Sequence, residues 1–218
     1  MTAPLLVLTR QCPECGKNLQ GLEQDRVYVC LPCARAHEVT EAGWQSHPLH
    51  STGAGDLPLP FWHLRLATTL SCPEEKRACF TLPTEVDVWV KSFHMPQVDL
   101  LGNPGLVMTL AEVALSPVDS SARPMPLVGS RRSSQQAATW GRLFLLERLD
   151  RQEDISGITL ETRVLAVRLV GMPFRFDGDA LTCVATGQSI HPTHIDDFDA
   201  IRRTIETWRS LAPTEESG

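Results

Sequence analysis

No stretch of this sequence approaches the ~20 consecutive apolar residues that a membrane-spanning helix needs. The longest candidates are interrupted by Arg163, Arg168 and Arg175. Residues 4–8 are fewer than a signal-peptide core requires and no basic residue precedes them, so the expected location is cytoplasmic. A disulfide framework is lacking too. The cysteines number seven, an odd count, and Cys72, Cys79 and Cys183 do not have the dense spacing of a secreted scaffold. Nor is there an excess of basic charge: 20 Lys and Arg stand against 26 Asp and Glu, a net of −6. Nucleic-acid binding draws most of its affinity from cations set against phosphates, so a duplex-binding role is disfavoured. A phosphate loop, a dinucleotide fingerprint, a nucleophile elbow and an acid pair with a defined partner are all missing, which leans the reading away from an enzyme. Internal repeats and low-complexity tracts are absent as well.

What remains is an ordinary globular composition, 42% hydrophobic and 21% charged over 218 residues. That length suffices for one sizeable core and a small satellite unit. The one strong chemical signal is Cys12-Pro13-Glu14-Cys15-Gly16, answered by Cys30-Leu31-Pro32-Cys33. Two Cys-x2-Cys knuckles this close can bring four sulfurs to the corners of one tetrahedron, the arrangement of a structural Zn²⁺ site. A set of four thiolates suits iron as well, although zinc is favoured. Four protein ligands leave no position for water, so the ion is expected to be structural. With four thiolates and one Zn²⁺ bound, the net charge moves to about −8.

This arrangement resembles the zinc-ribbon family over residues 8–40, with Cys12, Cys15, Cys30 and Cys33 as the ligands. Two departures stand out: Ala34 occupies a position where glycine is commoner, and the spacer between the knuckles is short. The layout of a ribbon followed by Pro60-Phe61-Trp62 is also similar to uncharacterised bacterial ribbon proteins, a likeness that implies no activity.

The expected organisation is a zinc ribbon over residues 1–40, a linker over 41–60, an α+β domain over 61–212 and a tail over 213–218. Residues 5–8 read as a short strand. Gly43, Pro48, Gly53, Gly55, Pro58 and Pro60 argue against regular structure in the linker. Residues 61–66 alternate as a half-buried strand, and residues 79–93 supply a second, joined to it by a hairpin around 73–76. In that second strand Val86, Val88 and Val90 share one face and Asp87, Trp89 and Lys91 the other, which would expose Trp89. Asn103-Pro104-Gly105 reads as a turn before a short helix within 106–115, and residues 116–130 as a surface loop. Ser133 and Gln136 form a capping box opening a helix that ends near Asp150, with Trp140, Leu143 and Phe144 on its apolar face. Residues 158–170 read as the longest strand, Asp177-Gly178 as a hairpin turn into 180–186, and a final helix begins near Asp197. Its apolar stripe is Phe198, Ile201, Ile205, Trp208 and Leu211. The fold class is therefore α+β, an antiparallel sheet with two main helices.

Candidate sites beyond the knuckles are few. His191 and His194, with Asp196 beside them, have the spacing of a second metal site, though a surface turn with Asp196 or Asp197 capping the last helix accounts for them more simply. His47 and His50 fall in the expected linker and make a weaker pair. Cys72 and Cys79 could meet across the hairpin, but packing is the favoured role, and Cys183 belongs to a core strand. Arg123, Arg131, Arg132 and Arg142, with Trp140 among them, could meet phosphates or an acidic partner, yet a solvated face is the simpler account. Trp89, if exposed, points to docking, and Trp44 could clamp the ribbon to the second domain. The function expected is a non-enzymatic, zinc-stabilised scaffold that binds a protein partner. A nucleic-acid-associated regulator using the ribbon and the Arg123–Arg142 region is the alternative, and a metal-dependent enzyme at His191 and His194 comes third.

Overall fold

The computed structural model describes residues 9–51, 56–95, 102–114 and 127–211. The strand expected at 5–8, most of the loop at 116–130 with Arg123, and the tail at 213–218 lie outside the described residues.

The fold is α+β, as the alternating strand and helix signals predict. Strands β1 (Val27–Cys30), β2 (Arg35–Thr40) and β3 (Gly43–Ser51) form an antiparallel meander carrying the knuckles. The larger strands are β4 (Leu57–Ser71), β5 (Glu85–Lys91) and β6 (Thr159–Phe176), with short β7 (Leu181–Cys183) and β8 (Ser189–Ile190) after them. All belong to one sheet in the order β1-β2-β3-β6-β4-β5, and β7 hangs from β6 with β8 beyond it. The pairing is antiparallel except at β3 and β6, where Leu49, His50 and Ser51 run parallel to Leu169, Val170 and Gly171. Helix α1 (Pro104–Leu110), α2 (Ser134–Asp150) and α3 (Phe198–Leu211) complete the fold.

The expected linker is largely strand, a correction to the reading of its prolines and glycines. Pro48 sits where β3 leaves β2, so its missing N–H falls at the change of partner. Pro58 and Pro60 open β4 on the side that β5 does not reach, since β5 begins pairing only at Phe61. Pro60 still accepts there, from the Ser92 N–H at 3.0 Å. Proline removes a donor but not an acceptor, and a strand tolerates that at an edge.

Both faces of the central sheet are covered. One face carries Trp62, Leu64, Leu66, Val88 and Leu169 against Phe144, Leu145 and Leu149 of α2. The other carries Phe61, Trp89, Val170 and Phe174 against Met108 of α1 and Ile201 and Ile205 of α3. Trp89 is therefore fully buried rather than exposed, with its indole N–H donating to the Val113 carbonyl at 2.8 Å. The alternation of β5 assigns its residues to two faces correctly, but a pattern of period two cannot reveal that a helix covers the second. Burying two rings such as Trp62 and Trp89 contributes several kcal/mol each, at about 25 cal/mol per Å².

Local signals hold well elsewhere. Ser133 caps α2 through the Gln136 N–H, and the Gln136 side chain returns to the Ser133 N–H, closing the capping box. The inward positions of α2 are Ala137, Gly141, Phe144, Leu145 and Leu149, while Leu143, expected among them, is 48% exposed. The sheet selects a stripe one residue round from the one the apolar residues suggest, because Gly141 lets the helix approach Val88 and Leu66. Asn103 is not a turn residue but the N-cap of α1, accepting from the Gly105 N–H at 3.0 Å, so that helix begins at Pro104. A Cβ on Gly105 would lie 2.5 Å from the Trp89 carbonyl, so only glycine lets α1 sit on the outer edge of β5. The return strand after Asp177-Gly178 is shorter than 180–186, ending at Cys183, which is buried as expected. In α3 Phe198, Ile201 and Ile205 are buried; the side chains of Trp208 and Leu211 lie outside the described residues.

Ser130 binds the meander to the rest of the chain. Its N–H donates to the Val27 carbonyl at 2.9 Å and its carbonyl accepts from the Arg26 and Val27 N–H groups. Gly129 precedes it, and a Cβ there would overlap the Val27 carbonyl oxygen and stand 2.7 Å from Asp25 Oδ2.

Candidate metal centre

The first knuckle is a tight turn in which the Gly16 N–H donates to the Cys12 carbonyl at 2.8 Å and the Cys12 N–H to the Lys17 carbonyl at 2.7 Å. Gly16 ends it with φ of 71°, in the left-handed region that glycine enters without cost. Ala34 holds the equivalent place after Cys33 with φ of 50°. An alanine there is strained by roughly 1 kcal/mol.

These turns bring the four sulfurs together. Sγ of Cys12 lies 3.8 Å from Sγ of Cys33, Sγ of Cys15 lies 3.6 Å from Sγ of Cys30, and all four lie within 4.8 Å of one another. A zinc–sulfur bond of about 2.3 Å gives a tetrahedron with edges of about 3.8 Å, so the four positions fit the ion. Backbone N–H groups point at the sulfurs, from Glu14 to Cys12 at 3.4 Å, from Lys17 to Cys15 and from Cys33 to Cys30. The Lys17 N–H holds the Cys15 thiol down to about 7, burial pushes Cys30 up, and the bond to Cys15, with burial, raises Cys33 to about 11. Binding must therefore expel protons from thiols that hold them in the free protein, which makes metal affinity rise with pH.

The sequence reading missed His37. Its ring is buried, with Nε2 3.3 Å from Sγ of Cys12 and Nδ1 2.9 Å from the Ser46 hydroxyl. Burial lowers its pKa, so the ring is neutral; with the proton on Nε2 it donates to sulfur while Nδ1 accepts from Ser46. Trp44 packs edge-on against Tyr28 and His37 inside the ribbon, and does not clamp it to the rest. That clamp is Glu38. Its carboxylate meets Nε2 of His47 at 2.9 Å and accepts from the Ser134 N–H at the head of α2 at 3.2 Å. Both side chains are about 95% buried or more. His47 is thus a buried structural partner, not half of a mobile metal pair.

The other expected candidates separate. Among the described residues the four cysteines form the sole cluster of three or more ligand groups able to hold a metal. Asp196 is turned to Nδ1 of His94 at 2.6 Å, and His191 bonds the Thr193 hydroxyl at 2.7 Å, so no second metal site forms at His191 and His194. Arg131 pairs with Asp197, and the Arg132 guanidinium lies 4.8 Å over the Trp140 ring. Cys72 packs half-buried at the margin of the core on the α2 face of the sheet, and Cys79 is exposed in a short 3-10 turn (Glu74–Cys79).

His63 is a further buried group that sequence alternation placed outward. It is 2% exposed, 4.6 Å from the Trp89 ring, and neither ring nitrogen has a hydrogen bond, although Asp87 Oδ1 lies 3.4 Å away. Burial lowers its pKa to about 4, against the pull of Asp87. Between its ordinary value of 6.5 and about 4 the unfolded chain takes up a proton that the folded chain refuses, so stability falls as the solution is acidified. His63→Phe is expected to remove that acid-side loss, worth about 2 kcal/mol near pH 5 relative to neutral pH. Urea titrations at the two pH values check it; equal losses in both proteins would refute it.

Compared with protein-family models, curated proteins and solved structures, the chain matches none. The site itself, four cysteines on two knuckles clustered within metal-binding distance, is consistent with a zinc-ribbon-like centre. A single tetrahedral ion such as zinc is what its donor set suits.

Proposed function

We propose that the protein is a zinc-stabilised interaction subunit that takes up an extended segment of a partner protein along the free edge of β6. That edge is the observation carrying the proposal. β4 pairs with β6 along one side from Thr159 to Phe174. β3 and β7 occupy the other side only at Leu169 and beyond, so residues 159–168 have no partner there among the described residues. Val164 and Leu165 in this stretch are 42% and 38% exposed. An added strand would gain backbone hydrogen bonds and cover these side chains. Four thiolates around one ion would leave it no open position, which supports a structural and not a catalytic role for it.

The test is affinity capture from the native cell with the zinc-loaded full chain and its Val164→Lys variant in parallel. A stoichiometric partner whose yield falls several-fold on the variant is the expected result. A partner-free monomer, or undiminished retention by the variant, would overturn the proposal. The nucleic-acid reading has less support, because Arg131 is paired with Asp197 and the net charge is −6.

A further inference from the structure

A cavity of about 230 Å³ opens beside the head of α2, lined by Ser92, His94, Arg131, Arg132, Gln136 and Trp140. Its charges are unevenly matched. Asp196 is held by His94 and approached by Arg131 at 3.9 Å, and Arg131 is paired with Asp197. Arg132 meets no carboxylate among the described residues, although burial disfavours its charge. It is fixed in place nonetheless. Its carbonyl accepts from the Trp62 indole at 2.8 Å and the Ser130 hydroxyl at 2.7 Å, and its guanidinium lies over Trp140. Lys91, almost wholly buried nearby, adds positive charge when protonated; burial first, then Arg132, lowers its pKa to about 7.

Ser92 supplies an independent observation. It is 1% exposed, and its hydroxyl is buried with no hydrogen-bond partner. Its backbone is satisfied, the N–H by Pro60 and the carbonyl by the Arg131 N–H, so only the hydroxyl is left over. Serine, histidine and aspartate here have the residue types of an acyl-transfer triad. Ser92 makes no hydrogen bond to His94, however, so no base activates it. A buried hydroxyl without a partner costs about 1–3 kcal/mol, and a ligand acceptor would recover it.

We propose that this cavity binds a small molecule through an oxyanion group, phosphoryl or carboxylate, gripped by the Arg132 guanidinium and the Ser92 hydroxyl with the Gln136 amide at its rim. The planar fork of arginine matches two oxygens of either group. The cavity has room for more than the anion alone, and Trp140 offers an apolar wall to whatever carries it.

The site is independent of the β6 edge, and its test uses the zinc-loaded full chain. Inorganic phosphate and malonate are titrated separately against chloride at matched ionic strength, following the amide and indole signals of residues 92, 132 and 140 by NMR. Saturable shifts at these residues with one probe or both are expected; phosphate alone assigns a phosphoryl ligand and malonate alone a carboxylate. Arg132→Lys, which keeps the charge but loses the fork, should weaken binding about tenfold. Ser92→Ala should weaken it severalfold while leaving the unliganded protein as stable or more so. Absence of saturable shifts with both probes, or affinities unchanged in both variants, would overturn the proposal.

Discussion

Cys30→Ser is expected to abolish zinc binding and to unfold the meander of β1, β2 and β3. Cys30 is fully buried, and the serine that replaces it cannot act as a thiolate ligand. Zinc contributes on the order of 10–16 kcal/mol to isolated finger folds, more than a whole domain's typical margin of stability. The small cluster of Cys12, Leu19, Tyr28 and Cys30 that surrounds the site cannot replace it. Because Ser130 bonds to β1 and the Ser134 N–H to Glu38, loss of order should reach the first turn of α2. Metal analysis and hydrogen exchange measure both effects: zinc should fall from one equivalent to none, and protection should vanish at residues 27–51. Chelation of the wild-type protein should do the same. Native protection in a metal-free chain would sink the structural role of the ion.

Glu38→Ala should cost about 2–3 kcal/mol, the loss typical of removing a charged hydrogen-bond acceptor and leaving its buried partners unpaired. Two groups are stranded at once, the His47 ring and the Ser134 N–H. The direction with pH follows from the carboxyl itself. Burial alone would raise its pKa, but the bonds from His47 and Ser134 outweigh burial and hold it below 4.5. A depressed carboxyl stabilises the fold above its unfolded pKa and loses that contribution as pH falls through the folded value. Wild type should therefore weaken below about pH 4.5 more steeply than Glu38→Ala, whose deficit shrinks in acid. Urea unfolding of both proteins at neutral and acidic pH measures the difference; a deficit under 1 kcal/mol at neutral pH would show that Glu38 is no clamp.

The sequence carried the knuckles, the capping box and the Asp177-Gly178 turn plainly, because each is specified within a few consecutive residues. What it hid depends on register. His37 reaches Cys12 and Ser46 only because β2 pairs with β3 so that His37 faces Ser46. Glu38 finds His47 across the same pair of strands, and then the head of a helix remote in sequence. Trp89 and His63 looked outward because strand alternation describes faces, not what lies over them. The prolines at 48, 58 and 60 argued for a linker because the sequence does not say which side of a strand will go unpaired.

Gly129 bears on how this chain can evolve. Every L-residue other than glycine carries the carbon atom for which there is no space beside the Val27 carbonyl. No compensating change of a neighbouring side chain can relieve an overlap with backbone. For descendants of this protein, substitution at 129 is closed unless the ribbon detaches.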